Sequence, residues 1–420
     1  MDKFLINGGN RLYGKINIGG AKNSALPLIA ASILIGGKVR INGCPKIYDV
    51  FVLMKIIKSL GGKAEFKGGD LLLDTGNLDK FELPCDLTRE VRASLFTVGA
   101  LLSRFKNAII CAPGGCNIGD RPIDIHIEAL KKLGVKIYEE EIIYFRAEKI
   151  KGAELYLKFP SVGATENIIM ASVFAEGTTV IKNAAKEPEI NDLQNFLNSA
   201  GARISGAGTS EIIIEGVKGP LKSGIEITPV SDRIETGTFL LILAVCGGEI
   251  EFGNADFTTN AALLEIFQNN ACKTHVINGK IKTVESLGIS GGFGAVGTNP
   301  YPGFPTDLQP QLTAAACFSD GKTEISESVF NNRFGFAEEL KKFGADISVS
   351  GNKALVTGRK GLHGAVVYAG DLRGGAALAL AGLGAEGSTE IKNVYHIDRG
   401  YENFELKLKS LGADIRRKGD

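Results

Sequence analysis

The sequence has no tryptophan and only four histidines in 420 residues, and its histidines and seven cysteines form neither an HExxH nor a CxxC pattern. A zinc site and a metal-centred mechanism therefore have little support. The cysteines stand at 44, 85, 111, 116, 246, 272 and 317. An odd number without regular spacing argues against a disulfide framework, and most are expected as reduced core residues. A Walker GxxxxGK(S/T) element and a kinase signature are also missing, which argues against phosphoryl transfer. So is any excess of charge, since 48 basic and 47 acidic residues leave a net charge of +1. No global field draws the chain to nucleic acid or membrane, and an anion site must come from local clustering. No stretch reaches the roughly 18 apolar residues of a membrane span, and MDKFLINGG interleaves charges with apolar residues, so a cytoplasmic protein is expected. No required protein partner is implied.

What is present is glycine, 54 residues of it, and a 44% hydrophobic composition. The first suggests many tight turns and close-packed backbones; the second, at this length, suggests two or more domains with buried cores. The glycines recur in register. IIKSLGGKAEF, ALKKLGVKIYE, FLNSAGARISG, FQNNACKTHV, ELKKFGADISV and LKSLGADIRR place a turn residue at Gly61, Gly134, Gly201, Asn270, Gly344 and Gly412, spaced by 73, 67, 69, 74 and 68. Each is an amphipathic helix expected to end in a left-handed cap and to lead into an alternating strand. Upstream of each copy lies a helix apolar on all sides: SALPLIAASIL, RASLFTVGALL, ATENIIMASVF, ETGTFLLILAV, DLQPQLTAAACF and DLRGGAALALAG. A helix apolar all round must be buried all round. Six units of about seventy residues, each with two helices and several strands, predict a ring or a pair of three-unit domains.

Unusual polar residues gather where these buried helices begin: Lys22 and Asn23, Arg89 and Arg92, Ser161 and Thr165, Asp232 and Arg233, Asp307, and Asp371 with Arg373. Free backbone NH groups and about half a positive charge at each helix start would suit a phosphate-rich ligand between domains. Simple helix capping is the alternative for any one of them.

The segment APGGCNIGDRPIDIHIEAL (Ala112 to Leu130) resembles the active-site loop of the UDP-N-acetylglucosamine enolpyruvyl transferases. GGAKNSALP, RASLFTVGALL, PSVGATEN, DRIETGTF, YPGFPTDLQPQ, NNRF, DLRGGAAL and HIDRGYE are similar to that family in the same order, so the resemblance spans the chain. It implies an α/β fold of two inside-out barrel domains, three repeated units in each, with helices inside and sheets outside. One domain would span 22–230. The other would combine 1–21 with 231–420, the active site lying in the cleft between them.

The implied reaction adds a sugar 3-hydroxyl to C2 of phosphoenolpyruvate while C3 gains a proton; the tetrahedral ketal then loses phosphate and a proton. Phosphoenolpyruvate is a co-substrate and no cofactor or metal is required. In bacteria this is the first committed step of peptidoglycan precursor synthesis. Cys116 is the implied acid and covalent attachment point, in a glycine-punctuated loop expected to be mobile without ligand, and Cys111 its inert neighbour. Asp307 is the implied base or hydrogen-bond acceptor for the hydroxyl. Lys22, Arg121 and Arg399, with Arg92, match the groups that hold phosphate and carboxylate, for which guanidinium forks are suited. Asn23, Arg121, Pro122, Ile123, Asp124, Ile125, Ser161, Val162, Gly163, Val329 and Arg333 match nucleotide-sugar positions. Asp371 and Arg373 match a charged pair at the cleft. Some relatives carry a lysine two residues before the matching serine, where this chain has Phe159 and, one further back, Lys158. The alternatives are a 5-enolpyruvylshikimate-3-phosphate synthase-like transferase and a noncatalytic repeat scaffold.

Overall fold

Six segments that are apolar around their whole circumference fold as helices with no solvent face in the computed structural model, which describes residues 2–114, 123–270, 272–277 and 280–419. They are α1 (Lys22–Ile35), α2 (Phe96–Phe105), α3 (Val162–Ser172), α4 (Arg233–Cys246), α5 (Gln309–Ala316) and α6 (Leu372–Gly384). Every residue of α1 from Ser24 on is buried, as is every residue of α5 and all of α4 through Ala244. Such helices can be placed only where strands and other helices cover them on all sides.

The described residues form two compact units, one of 20–114 with 123–230 and one of 2–19 with 231–419. In the first, α2 packs between α1 and α3. Gly99 makes the α2–α3 approach possible: its amide donates to Asn167 Oδ1 at 2.6 Å, and a Cβ there would lie 2.2 Å from the Asn167 carbonyl oxygen. In the second unit, α4, α5 and α6 pack on one another in the same way, around a core that includes Phe239, Leu312 and Leu380.

Each buried helix is followed by a strand: Lys38–Ile41, Asn107–Cys111, Thr178–Lys182, Gly248–Gly253, Lys322–Ser326 and Ser388–Lys392. In five sheets this strand has a parallel neighbour on one side and two successive antiparallel strands on the other, as where Thr178–Lys182 lies between Glu154–Tyr156 and Glu211–Glu215. In the sixth, Asn107–Cys111 has its two antiparallel companions and a single parallel bridge, Glu82 to Ile109. Three strands come from far along the chain. Lys3–Asn7 pairs with Ser388–Lys392 and Asp414–Lys418, Leu12–Asn17 with Gly248–Gly253, and Ile225–Ile227 with Lys38–Ile41. The first 19 residues thus complete sheets of the C-terminal unit.

The amphipathic helices end as the repeat predicts at five places, with φ of 101° at Gly61, 92° at Gly134, 106° at Gly201, 89° at Gly344 and 97° at Gly412. Asn270 departs from this. It is the last residue of the helix Ala261–Asn270 and does not enter the left-handed region. Asparagine carries a Cβ and gains less there than glycine.

Candidate functional site

In the 20–230 unit the candidate residues sit at helix starts. α1 begins after Ala21 without a side-chain cap, so its first amides are not satisfied from that residue. Lys22, the first helical residue, pairs with the buried Asp49 at 2.7 Å; Asn23 follows, half-buried. Arg92 opens the 3-10 turn Arg92–Leu95 that feeds α2, while Arg89 is exposed on the short helix Cys85–Glu90. Ser161 caps α3 through Ala164 N, and its carbonyl accepts from Thr165 Oγ1 at 2.9 Å. Capping and ligand contact are compatible there, because Ser161, Val162 and Gly163 are each only half-buried. A Cβ on Gly163 would press on Phe96 at 3.1 Å and His126 at 3.5 Å.

His126 lies behind that turn, held by Asn167 Nδ2 at 3.1 Å from its Nδ1. Burial, then the Arg92 charge, pushes its imidazole down to about 3, so it is neutral at physiological pH. Ile123, Asp124 and Ile125 open the helix Asp124–Lys132. Lys158 reaches Asp124 at 2.8 Å and Glu128 at 2.9 Å, and its hydrogen bond holds the Asp124 carboxyl below the usual range. The lysine one residue out of step with the family's position is thus committed to two carboxylates of this helix.

The strand Asn107–Cys111 leads toward the glycine-rich loop. Gly114 N donates to the Thr88 carbonyl at 3.2 Å, and a Cβ on Gly114 would lie 1.6 Å from the Arg89 carbonyl oxygen. Only glycine fits so close to another backbone. Cys116, Arg121 and Pro122 lie outside the described residues. One expectation is corrected here: Cys111 is not a lone reduced thiol but is bonded to Cys85, with Cα atoms 5.2 Å apart. Tertiary packing brings the helix start at Cys85 beside a strand end 26 residues on, and no spacing rule reports such a pair. Cys44 and Cys317 are reduced and buried as expected.

In the 231–419 unit the site is more tightly built. Asp307 lies in the 3-10 turn Thr306–Leu308 before α5, and it is not a cap. Its Oδ1 accepts from Arg333 Nη2 and its Oδ2 from Arg373 Nη2, both at 3.1 Å. Both arginine side chains are almost fully buried, 2% and 4% exposed, whereas Asp307 keeps 28%. Two fixed cations thus orient one accessible carboxylate. Arg333 also stacks on Phe330, 5.4 Å from the ring centre. Asp371 caps α6, accepting from the Arg373 and Gly374 amides. Asp232 likewise caps α4 through Ile234 N and Glu235 N, and Arg233 lies over the Tyr301 ring. Arg399, itself buried, ends the 3-10 segment Val394–Arg399; burial first, then the Arg399 charge, lowers the His396 pKa.

Sequence reasoning missed three organising carboxylates. Buried Glu327 accepts from Thr298 Oγ1, Thr306 Oγ1, Val329 N and Phe330 N, so it joins the Val329 backbone to the turn carrying Asp307. Asp49 holds Lys22. Glu235 accepts from Gly19 N and pairs with Lys407. Glu235 stands inside the DRIETGTF motif and could have been singled out there; Glu327 and Asp49 carry no comparable signal.

This architecture is shared with known proteins. The profile of a family described as EPSP synthase (3-phosphoshikimate 1-carboxyvinyltransferase) matches residues 6–408. The enolpyruvyl transferase NikO from Streptomyces tendae is similar in structure, with a TM-score of 0.87 at 26% identity over 99% of both chains. An EPSP synthase from Acinetobacter baumannii shares the fold, at a TM-score of 0.73 and 17% identity over the whole of both chains. The chain belongs to the enolpyruvyl transferase family. Two relatives carry a more particular name. UDP-N-acetylglucosamine 1-carboxyvinyltransferase 2 of Caldanaerobacter subterraneus is 48% identical over 99% of this chain and all of its own length. UDP-N-acetylglucosamine 1-carboxyvinyltransferase 1 of Clostridium acetobutylicum is 46% identical over the same shares.

Proposed function

We propose that this chain transfers the enolpyruvyl group of phosphoenolpyruvate to the 3-hydroxyl of UDP-N-acetylglucosamine with release of phosphate, the first committed step of peptidoglycan precursor synthesis in the cytoplasm. The acceptor follows from relatives that bear this name at 46–48% identity from end to end, against 17% for a solved EPSP synthase. The observation that carries the chemistry is the clamp on Asp307. The Asp307 carboxylate stays 28% exposed while the two arginines fix its orientation, so it is presented for hydrogen bonding to the sugar hydroxyl. That is the geometry a base near the attacking oxygen needs.

In this reading the hydroxyl adds to C2 as Cys116 supplies the proton at C3, and the ketal then expels phosphate and returns a C3 proton. Lys22, Arg121 and Arg399 hold the phosphate and carboxylate oxygens, with Arg92 nearby in role. The half-buried turn Ser161 to Gly163, together with Asn23, Ile123, Asp124, Ile125, Val329 and Arg333, takes the nucleotide sugar. The six buried helices with their sheets outside them support an inside-out barrel in each unit, three repeats apiece. The chemistry calls for no cofactor beyond the phosphoenolpyruvate co-substrate.

The test is phosphate release from phosphoenolpyruvate with either UDP-N-acetylglucosamine or shikimate 3-phosphate as acceptor, for wild type and Cys116→Ser. Release with the nucleotide sugar alone, lost in the variant, is expected. Release with shikimate 3-phosphate alone would overturn the choice of acceptor, and full turnover in Cys116→Ser would overturn the role of the loop.

A further inference from the structure

Three residues that the proposed chemistry leaves without a role meet in the centre of the 231–419 unit. They are Thr238 on α4, Gln311 on α5 and Tyr401, two residues beyond Arg399. All three are buried. Gln311 Nε2 donates to Thr238 Oγ1 and to Tyr401 Oη, each at 3.1 Å, and the two hydroxyl oxygens lie 2.8 Å apart. The direction of that last bond can be worked out. Thr238 has one hydroxyl proton, and it is engaged with the Ile234 carbonyl at 2.8 Å. Tyr401 is therefore the donor to Thr238 and the acceptor from Gln311. Its hydroxyl is fixed at both ends, and with it the plane of the ring.

That ring faces Arg373, whose guanidinium carbon lies 5.3 Å from the ring centre. Arg373 Nη2 donates to Asp307 Oδ2, while its Nε and Nη1 donate to no protein acceptor among the described residues. Beyond that one carboxylate oxygen, the buried guanidinium is restrained by Tyr401, through the hydroxyl beside it and the face of the ring. Asp307 inherits that restraint, since Arg333, braced on Phe330, fixes only its other oxygen.

We infer that Tyr401 is a positioning residue of the transfer reaction, acting through Arg373 on Asp307, with Thr238 and Gln311 fixing the angle of its ring. The inference rests on the proposed function. Tyr401 touches no reacting atom in this scheme. Its effect falls on the step in which Asp307 receives the hydroxyl proton, hence on kcat rather than on substrate affinity.

The experiment compares wild type, Tyr401→Phe, Tyr401→Leu and Thr238→Val by steady-state phosphate release with phosphoenolpyruvate and UDP-N-acetylglucosamine, together with the pH dependence of kcat. Tyr401→Phe keeps the ring and loses its anchor; kcat should fall about 10-fold, with both KM values within about two-fold of wild type. Tyr401→Leu removes the ring, and kcat should fall on the order of 10²-fold. In both, the acidic limb of the pH profile should move, because the charge environment of Asp307 changes. Thr238→Val disturbs the ring from a different element and should shift kcat in the same direction, which keeps the inference testable should a Tyr401 variant not fold. Phe343→Leu, a core variant of the same unit, should lose stability without a change in kcat or pH profile per folded molecule. Wild-type turnover combined with wild-type kcat and pH profile in Tyr401→Phe would overturn the positioning role and leave the function standing. So would variants that track Phe343→Leu. No phosphate release by wild type with the nucleotide sugar would instead remove the function on which the inference rests.

Discussion

Replacing Glu166 by glutamine should change how stability depends on pH, and the sign of the change follows from where this carboxyl sits. Glu166 is on α3, fully buried, and neither of its carboxyl oxygens has a hydrogen-bond partner among the described residues. Burial, reinforced by the charges of Glu189 and Glu187, holds its pKa well above the ordinary carboxyl value. In the unfolded chain the group titrates near pH 4.3. Between that pH and the raised folded value, the native state keeps a proton that the unfolded state has released. The sign is therefore fixed: this contribution is full below the unfolded pKa and is lost as pH rises toward the folded one. The slope cannot exceed about 1.4 kcal/mol per pH unit, so raising the pH from 5 to 7 should destabilise wild type relative to Glu166→Gln, by no more than that limit for each unit. Asp192 and Glu235 are also raised by burial and share this sign, so only the difference between the two proteins isolates Glu166. Glutamine is nearly isosteric, and any cost of burying its amide is independent of pH and drops out of the slope. Urea unfolding followed by circular dichroism at pH 5, 6, 7 and 8 would measure it, provided m stays constant. Parallel stability curves for the two proteins would refute the reasoning, since they would mean that Glu166 carries the same charge folded and unfolded.

His126 should remain neutral down to about pH 5, with ring proton shifts that do not titrate in NMR; because its folded pKa is depressed to about 3, its contribution is full above about pH 6.5 and lost as pH falls, and a midpoint near 6.5 in the folded protein would contradict its burial. Alkylation in denaturant, with and without prior reduction, should differ by two thiols, mapped to Cys85 and Cys111, and either Cys→Ser variant should abolish the difference; equal counts would show that the pair is not bonded. Cys246 and Cys317, whose thiols burial pushes up to about 12, should resist alkylation in the native protein. Arg399→Ala should weaken phosphoenolpyruvate binding by about 1.5–3 kcal/mol in calorimetry, the value of one charge-assisted contact, while normal kinetics would remove Arg399 from the anion site.

Much of the architecture is legible in the sequence because it is written in local periodicity. A stretch such as SALPLIAASIL has no polar face, so a buried helix is the only place for it, and Gly61, Gly134, Gly201, Gly344 and Gly412 mark turns that need a residue without a Cβ. Asn270 shows the limit of that reading, since a residue that tolerates the left-handed region is not compelled to enter it. The site residues were legible as a set of motifs. Their arrangement was not: that Asp307 is gripped from both sides, that Lys158 is tied to Asp124 and Glu128, and that Cys85 meets Cys111 are all products of packing.

The sequence by itself determined which segments are helices, which of those are buried, and that one unit is used six times, for the first two concern residues within a dozen positions of one another and the third compares such local patterns along the chain. Only the tertiary structure decided that Lys3–Asn7 lies between strands at Ser388–Lys392 and Asp414–Lys418, and that Tyr401, Thr238 and Gln311 share one set of hydrogen bonds. An alternating strand pattern specifies which face is buried but not which edge it will pair with, and a buried hydroxyl requires a partner without naming one. Those choices are settled when the whole chain finds the packing that satisfies its buried polar groups together.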